Sequence, residues 1–349
     1  MASSRRPAWS GSMRRTRRSN ETSVISSLKI LPAVLACLLA VPLARAESGD
    51  AMDWLQKMKM SMQQLSYQGR FVYQHGKQLE SMQLVHVNDG SGSRQQLLSL
   101  NGEARQILRD DKNLTCIWPL SKQVVVDQAQ NTRLSPIWIP DDIKRLSRFY
   151  QFDLVGQDRV AGREARVVSI SPRDAYRYGM RLWLDSDNGL MLQSSVHDED
   201  GMAIEKVMFT EIKLLDEQTA ASMDLQPPPI DSSFTLLRSH QGEGVERQER
   251  TDPRWQLGFV PGGFWLKSAY LKKMGGADTR TQHLVFTDGM ASVSMFIEPF
   301  DTTRHLSGES SMGAVNAFSA DHAGYTITAI GEVPQVTVRE MATSVTLSE

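Results

Sequence analysis

Tyr67-Gln68-Gly69-Arg70-Phe71-Val72-Tyr73 is the stretch on which the fold turns. Tyr67, Gly69, Phe71 and Tyr73 alternate with Gln68 and Arg70, with Val72 breaking the polar row. A period of two sends successive side chains to opposite faces, so these residues read as a strand with one apolar face. Just upstream the period is different. Leu55, Met58, Met62 and Leu65 fall three and four apart, Met52 and Trp54 join their side, and Lys57, Lys59, Gln63 and Gln64 lie elsewhere on the wheel. That spacing predicts an amphipathic helix whose methionine-rich face can fit an irregular surface.

Downstream, strand-like runs recur at Leu79–Val87, Arg94–Leu100, Ala104–Leu108, Leu114–Trp118 and Gln123–Asp127. Asn88-Asp89-Gly90, Asn101-Gly102 and Asp110-Asp111-Lys112-Asn113 supply the turns of an antiparallel meander. A helix is expected after Pro140, capped by Asp141 or Asp142, with Ile143, Leu146, Phe149 and Tyr150 on its apolar side. Strands resume at Arg166–Ser171, Met180–Asp185, Leu190–Val196 and Ala203–Leu214. Three prolines within Asp224–Asp231 favour an extended spacer, because proline neither joins a ladder nor continues a helix. Beyond it, strands are predicted at Leu284–Thr287, Ser292–Glu298 and Thr326–Ile330, helices around Ala314–His322 and Val336–Ser344, and a charged loop over Gln241–Arg254. The expected division is a leader over 1–46, a large domain over 47–223, a linker over 224–232 and a small domain over 233–349. The predicted class is α+β: a curved antiparallel half-barrel sheet with a helix across its open side, then a smaller α+β domain.

The start of the chain reads as a cleavable export signal. Arg5, Arg6, Arg14, Arg15, Arg17, Arg18 and Lys29 precede an apolar run from Ile30 to Leu43, which closes on Ala44-Arg45-Ala46. At about fourteen residues the run falls short of the roughly twenty that a membrane span needs. Val34-Leu35-Ala36-Cys37 loosely resembles a lipoprotein cleavage box, yet the apolar run continues past Cys37; neither arginine doublet is followed by the apolar pair of a twin-arginine signal. Met13 is a second candidate start. The leader holds eight basic residues and one acid while the whole chain sums to −1, so the mature part stands at about −8. Such a balance argues against nucleic acid, which calls for a basic footprint. Cys37 leaves with the leader and Cys116 is left alone, so stability is expected to come from apolar cores rather than an intrachain disulfide.

Catalytic patterns are missing from the sequence. His75, His86, His197, His240, His283, His305 and His322 are scattered without zinc-ligand spacing, and no G-x-S-x-G elbow, phosphate loop or dinucleotide fingerprint occurs. Asp185-Ser186-Asp187-Asn188-Gly189 starts like a calcium loop, but Leu190 and Val196 stand where its glycine and glutamate belong. No metal, cofactor or catalytic residue is expected. The apolar rows of the sheet (Phe71 and Tyr73, Met82 and Leu84, Ile117) could instead wall a cavity or fill one another. Tryptophans 54, 118, 138, 183, 255 and 265 are spread over both halves.

Several segments together resemble the periplasmic sigma-E regulators of the RseB/MucB type. They are Tyr67–Tyr73 after the Trp54-Leu55 helix, Ser171-Pro172-Arg173-Asp174 with Arg177-Tyr178-Gly179, and Leu182-Trp183-Leu184-Asp185. Pro261-Gly262-Gly263-Phe264, Thr287–Ser294, Phe296-Ile297-Glu298-Pro299 and Gly331-Glu332-Val333-Pro334 carry it through the second half. The resemblance implies a large domain similar to the lipoprotein carriers LolA and LolB. It implies a periplasmic location and binding to the periplasmic part of a membrane-spanning anti-sigma factor. That binding would shield the factor from regulated proteolysis, keep the envelope stress response off, and end when lipid or lipopolysaccharide is taken up. Trp54, Met58, Phe71, Tyr73 and Met82 are then the candidate lipid contacts, and Phe264, Trp265, Phe286 and Phe296 the candidate partner contacts, each with core packing as its alternative. Self-association is compatible with this reading. The rival readings are a lipid or lipoprotein carrier, an envelope hydrolase with a site assembled from distant residues, and a structural adaptor.

Overall fold

The computed structural model describes residues 48–90, 92–128, 140, 142–238, 255–273, 280–302 and 307–347. The expected leader, Cys37, Trp138, Asp141, His240, His305 and the expected loop Gln241–Arg254 lie outside them. The chain from Ala46 to Glu349 forms one compact unit.

It opens with α1 (Ser48–Gln64), then β1 (Tyr67–His75), β2 (Gln78–Asn88), β3 (Ser93–Ser99), β4 (Gln106–Arg109), β5 (Asn113–Trp118) and β6 (Gln123–Gln128). After α2 (Ile143–Leu146) come β7 (Tyr150–Val160), β8 (Arg163–Pro172), β9 (Gly179–Asp185), β10 (Met191–His197), β11 (Ala203–Leu214), α3 (Glu217–Ser222) and β12 (Thr235–Arg238). These strands form one sheet of twelve in the order β12-β6-β5-β4-β3-β2-β1-β11-β10-β9-β8-β7, with its two ends unjoined. Every described pairing in it is antiparallel except β12 on β6.

The register explains why the opening heptad is so constrained. Phe71 stands opposite Met82 on one side and Phe209 on the other, so three large apolar groups meet on one face. Gly69 faces Leu84 and Ile212, and a bulge between Arg70 and Phe71 presses β11 close. A Cβ at Gly69 would lie 2.4 Å from the Glu211 carbonyl oxygen and 2.9 Å from the Phe209 ring, which only glycine avoids. Helix α1 lies across β7 and β8. Its Ala51, Leu55 and Met58 join Ile143, Leu146, Phe152 and Leu182 in a buried cluster. Asp142 caps α2 by accepting from Arg145 N at 3.2 Å.

The second part holds β13 (Trp255–Leu257), β14 (Trp265–Lys273), β15 (Arg280–Thr287), β16 (Ser292–Pro299), β17 (Gly308–Met312), β18 (Val315–His322) and β19 (Tyr325–Gly331), followed by α4 (Gln335–Thr343) and β20 (Val345–Leu347). Six of these strands make an antiparallel sheet, β14-β15-β16-β19-β18-β17, while β13 pairs with β20. Val338, Met341 and Ala342 of α4 pack with Leu284, Val293, Met295 and Ile327 in a core of their own.

Two expectations change. The helix predicted around Ala314–His322 is strand β18, paired with β19 from Asn316 to His322. Its alanines favour helix weakly, and a partner strand on each side outweighs that preference. The segment expected to open the small domain at 233 instead begins by returning to the large sheet. Thr235 to Arg238 run parallel to Gln123 to Val126, since the extended proline segment carries the chain back to the start of β6.

Candidate functional site

The concave face of the large sheet does not close on itself. A cavity of about 640 Å³ remains, a size typical of sites for small organic ligands. Phe71 and Tyr73 of β1, Met82 and Leu84 of β2, Val207 and Phe209 of β11 and Met62 of α1 form its walls on the large-sheet side. The rings of Phe71 and Phe209 sit 5.5 Å apart, tilted by 59°. The opposite wall comes from the small sheet: Met290, Ala291 and Ser292 at the β15–β16 turn, Ala314 and Val315 at the β17–β18 turn, and Ile330 to Glu332 at the end of β19. Tyr150 and Tyr178 sit where the two walls meet.

A buried ionic cluster fixes that meeting. The side chains of Arg177 and Asp288 are both fully enclosed, and Arg177 Nε donates to Asp288 Oδ2 at 2.7 Å. Tyr150 donates to the same oxygen at 2.9 Å. Arg177 also donates to Asp174 and to the Gly262 carbonyl, and its guanidinium lies against the rings of Phe149, Tyr150 and Phe264. Burial alone would lower the Arg177 pKa, but the bond to Asp288 overcomes it and the group is held charged. Burial and Asp288 both push the Tyr150 hydroxyl well above its ordinary value, so it stays a donor. Further bonds tie the two parts. Tyr176 donates to Glu340 at 3.0 Å, Thr337 to the Tyr176 carbonyl at 3.0 Å, Asn316 to Tyr178 at 2.7 Å, and Ala314 N to Glu205 at 2.8 Å.

Among the described residues no group of three or more His, Cys, Asp or Glu could hold a metal ion, and no helix is long and apolar enough to cross a membrane. Residues 50–229 match the MucB/RseB N-terminal domain, and residues 249–346 match the MucB/RseB C-terminal domain. The chain belongs to the MucB/RseB family. It is 30% identical over 324 residues to the sigma factor AlgU regulatory protein MucB of Pseudomonas aeruginosa, covering 89% of this chain and 95% of that one. The sigma-E factor regulatory protein RseB of Escherichia coli K12 is 25% identical over 300 residues, 83% of this chain and 89% of its own. Among solved structures, MucB in complex with periplasmic MucA aligns with a TM-score of 0.64 at 27% identity, covering 86% of this chain and 99% of that one. A further structure of MucB aligns at 0.59 with the same identity and coverage.

In this MucB/RseB chain the expected lipid contacts separate into two groups. Phe71, Tyr73 and Met82 line the cavity together. Met58 is 4% exposed inside the helix–sheet core, and Trp54 packs on that same core with Lys57 Nζ 4.4 Å from its ring centre. Met62, one turn further along the same helical face, is the α1 residue that reaches the cavity. The expected partner contacts divide as well. Phe264 and Phe286 are core residues of the small part. Trp265 is 36% exposed beneath the Arg145 guanidinium at 4.2 Å, and Phe296 is half-buried and stacked on His283 at 4.3 Å. Sequence reasoning missed the whole second wall, together with Glu205 and Glu332. For Phe209 there was a usable signal: pairing β1 antiparallel to the last strand of the domain puts it opposite Phe71.

Proposed function

We propose that this MucB/RseB member is a periplasmic negative regulator of a sigma-E-type envelope stress response. It binds the periplasmic region of a membrane-spanning anti-sigma factor and shields it from regulated proteolysis. A lipid or lipopolysaccharide acyl portion enters the cavity against Phe71, Tyr73 and Met82 and loosens that complex, while Trp265 and Phe296 offer surface for the partner. The observation that carries this reading is the match of both parts, in order, to a structure of MucB held with periplasmic MucA. Residues 1–46 act as the export leader, and the working division follows the two sheets, with β12 counted in the first.

The test is co-elution of the chain from Glu47 onward with the periplasmic segment of the anti-sigma factor, followed by digestion of that segment by its regulatory protease. The expected result is a complex that slows cleavage and dissociates when lipopolysaccharide is added. Failure to form a complex with or without lipid would overturn the reading. The cavity itself favours a second one, a lipid carrier; a carrier would bind lipid in the same assay and leave the segment unprotected.

A further inference from the structure

Register lays out the floor of the cavity in rows. Phe71 and Met82 stand opposite each other, Gly69, Leu84 and Leu97 make the next row, and Tyr67, His86 and Gln95 the one after. The last row is polar in an apolar setting, since Met62, Leu84 and Leu97 pack with Tyr67 in one hydrophobic cluster. Tyr67 and His86 are each 1% exposed, and both Tyr67 and Gln95 belong to the cavity wall. From Phe71 back to Tyr67 is four residues of strand, about 13 Å at the usual rise, so an aliphatic chain lying against Phe71 and Met82 extends to Gln95.

The Gln95 amide is engaged on one side only. Its Nε2 lies 2.8 Å from His86 Nδ1, and because an amide nitrogen can only donate, the ring nitrogen accepts. Burial lowers the His86 pKa; the Gln63 backbone offsets part of that effect and the charge of Arg109 adds to it, so near pH 7 the ring is neutral and Nδ1 keeps its lone pair. Oε1 of Gln95 is enclosed and receives no hydrogen bond among the described residues. The Tyr67 hydroxyl, kept protonated by burial, donates instead to Met62 Sδ at 3.7 Å. A buried acceptor in this position calls for a donor from whatever occupies the cavity.

We infer that the cavity prefers aliphatic chains that carry a hydroxyl, which donates to Gln95 Oε1, over plain chains of the same size. A hydroxyl supplies the missing donor; an ether or an ester supplies acceptors only, and a methylene supplies neither. Water can meet Oε1 before a ligand enters, and a plain chain that displaces it leaves the oxygen unpaired, so the preference is a difference between ligands. The requirement concerns the chain inside the cavity and leaves a charged head in solvent, an arrangement open to a lipopolysaccharide whose acyl chains carry hydroxyls. The inference rests on the reading of the cavity as a lipid site, and it names the chain chemistry that reading leaves open.

The isomers 1-octanol and 1-methoxyheptane, equal in size and both uncharged, distinguish the outcomes by calorimetric titration of the chain from Glu47 at pH 7. Gln95→Met keeps the length of the side chain and removes its oxygen. The preference for octanol over the ether should fall by about fivefold in this variant, equivalent to about 1 kcal/mol, while the ether binds it no more weakly than it binds the wild type. In the wild type, octanol should move the side-chain amide NMR signals of Gln95 and the ether should leave them in place. Met82→Trp, which fills the cavity, should weaken both probes. An unchanged preference in Gln95→Met, or amide signals that respond alike to both probes should that variant not fold, overturns the inference while the lipid reading stands. If neither probe binds, or Met82→Trp weakens neither, the lipid reading itself falls and the inference falls with it.

Discussion

At the scale of single residues, Asp288 has the widest reach. Its Oδ1 accepts from Met290 N at 2.9 Å and Ala291 N at 2.8 Å, shaping the turn that presents those residues to the cavity. Its Oδ2 takes Arg177 and Tyr150 from the other sheet. Asp288→Asn keeps an oxygen for the turn but leaves the Arg177 charge buried, with only the partly exposed Asp174 for a counter-charge. Removing one partner of a buried pair costs far more than the pair's net worth, so a loss of about 3 kcal/mol is expected from urea unfolding. Glu309→Gln gives the contrast: its pair with Arg339 is about half exposed on both sides, and its loss should stay below about 1 kcal/mol. Similar losses for the two variants would refute the view of Arg177–Asp288 as the fixing point. The segments bearing both residues were visible in the sequence as Arg177-Tyr178-Gly179 and Thr287–Ser294. Their pairing was not, because they lie 111 positions apart and ionic partners at that separation leave no periodic trace.

At the scale of elements, legibility followed local regularity. Strands β1, β2, β5, β9 and β11 alternate or run apolar between clear turn residues, and the alternation places them within a residue or two. Strand β7 escaped because Gly156 and the shift between Leu154 and Gly156 break its register, and its outer end, Gln157-Asp158-Arg159, is polar on an edge strand. Strand β14 ends in lysines on the edge of the small sheet and gives no clean period either. The loop before β14 shows how an unremarkable turn can be structurally exacting. Gly263 has φ +89, and a Cβ there would fall 2.5 Å from the Phe149 ring, while the neighbouring Gly262 carbonyl receives Arg177. Gly102 also has positive φ, +71, but nothing lies within 4 Å of its Cβ position. Gly102→Ala should therefore cost only the backbone penalty of about 1–2 kcal/mol. Gly263→Ala adds a clash at the junction of the two sheets and should cost at least about 1 kcal/mol more, read as the gap between their unfolding free energies. Equal costs would mean that Phe149 moves aside freely and that this loop does not fix the junction.

At the scale of the whole molecule, the apolar rows of the large sheet announced half a cavity and concealed its other half. Phe71, Tyr73 and Met82 could be assigned to an inner face from their period, whereas Met290, Ile330 and Glu332 reach the same space only through docking of the second sheet. That shared wall has an energetic consequence. A ligand can shift a protein between arrangements only by the difference in its affinity for them. A cavity with one wall from each sheet is sensitive to how those sheets meet, so an occupant and a protein partner that both depend on that meeting are linked. Linkage is reciprocal: if a cavity occupant weakens the partner by a given factor, the partner must weaken the occupant by the same factor. For a coupling of about 2 kcal/mol, within the usual range, that factor is roughly thirty. Titrating lipopolysaccharide into the chain alone, and into the chain saturated with the anti-sigma segment, measures one arm; titrating the segment with and without saturating lipopolysaccharide measures the other. Equal factors above one are expected, and Asp288→Asn, which removes the counter-charge of Arg177 at the junction, should shrink both together. A factor of one in both arms would show that cavity and partner are independent, and release of the anti-sigma factor would then require direct competition for a common surface.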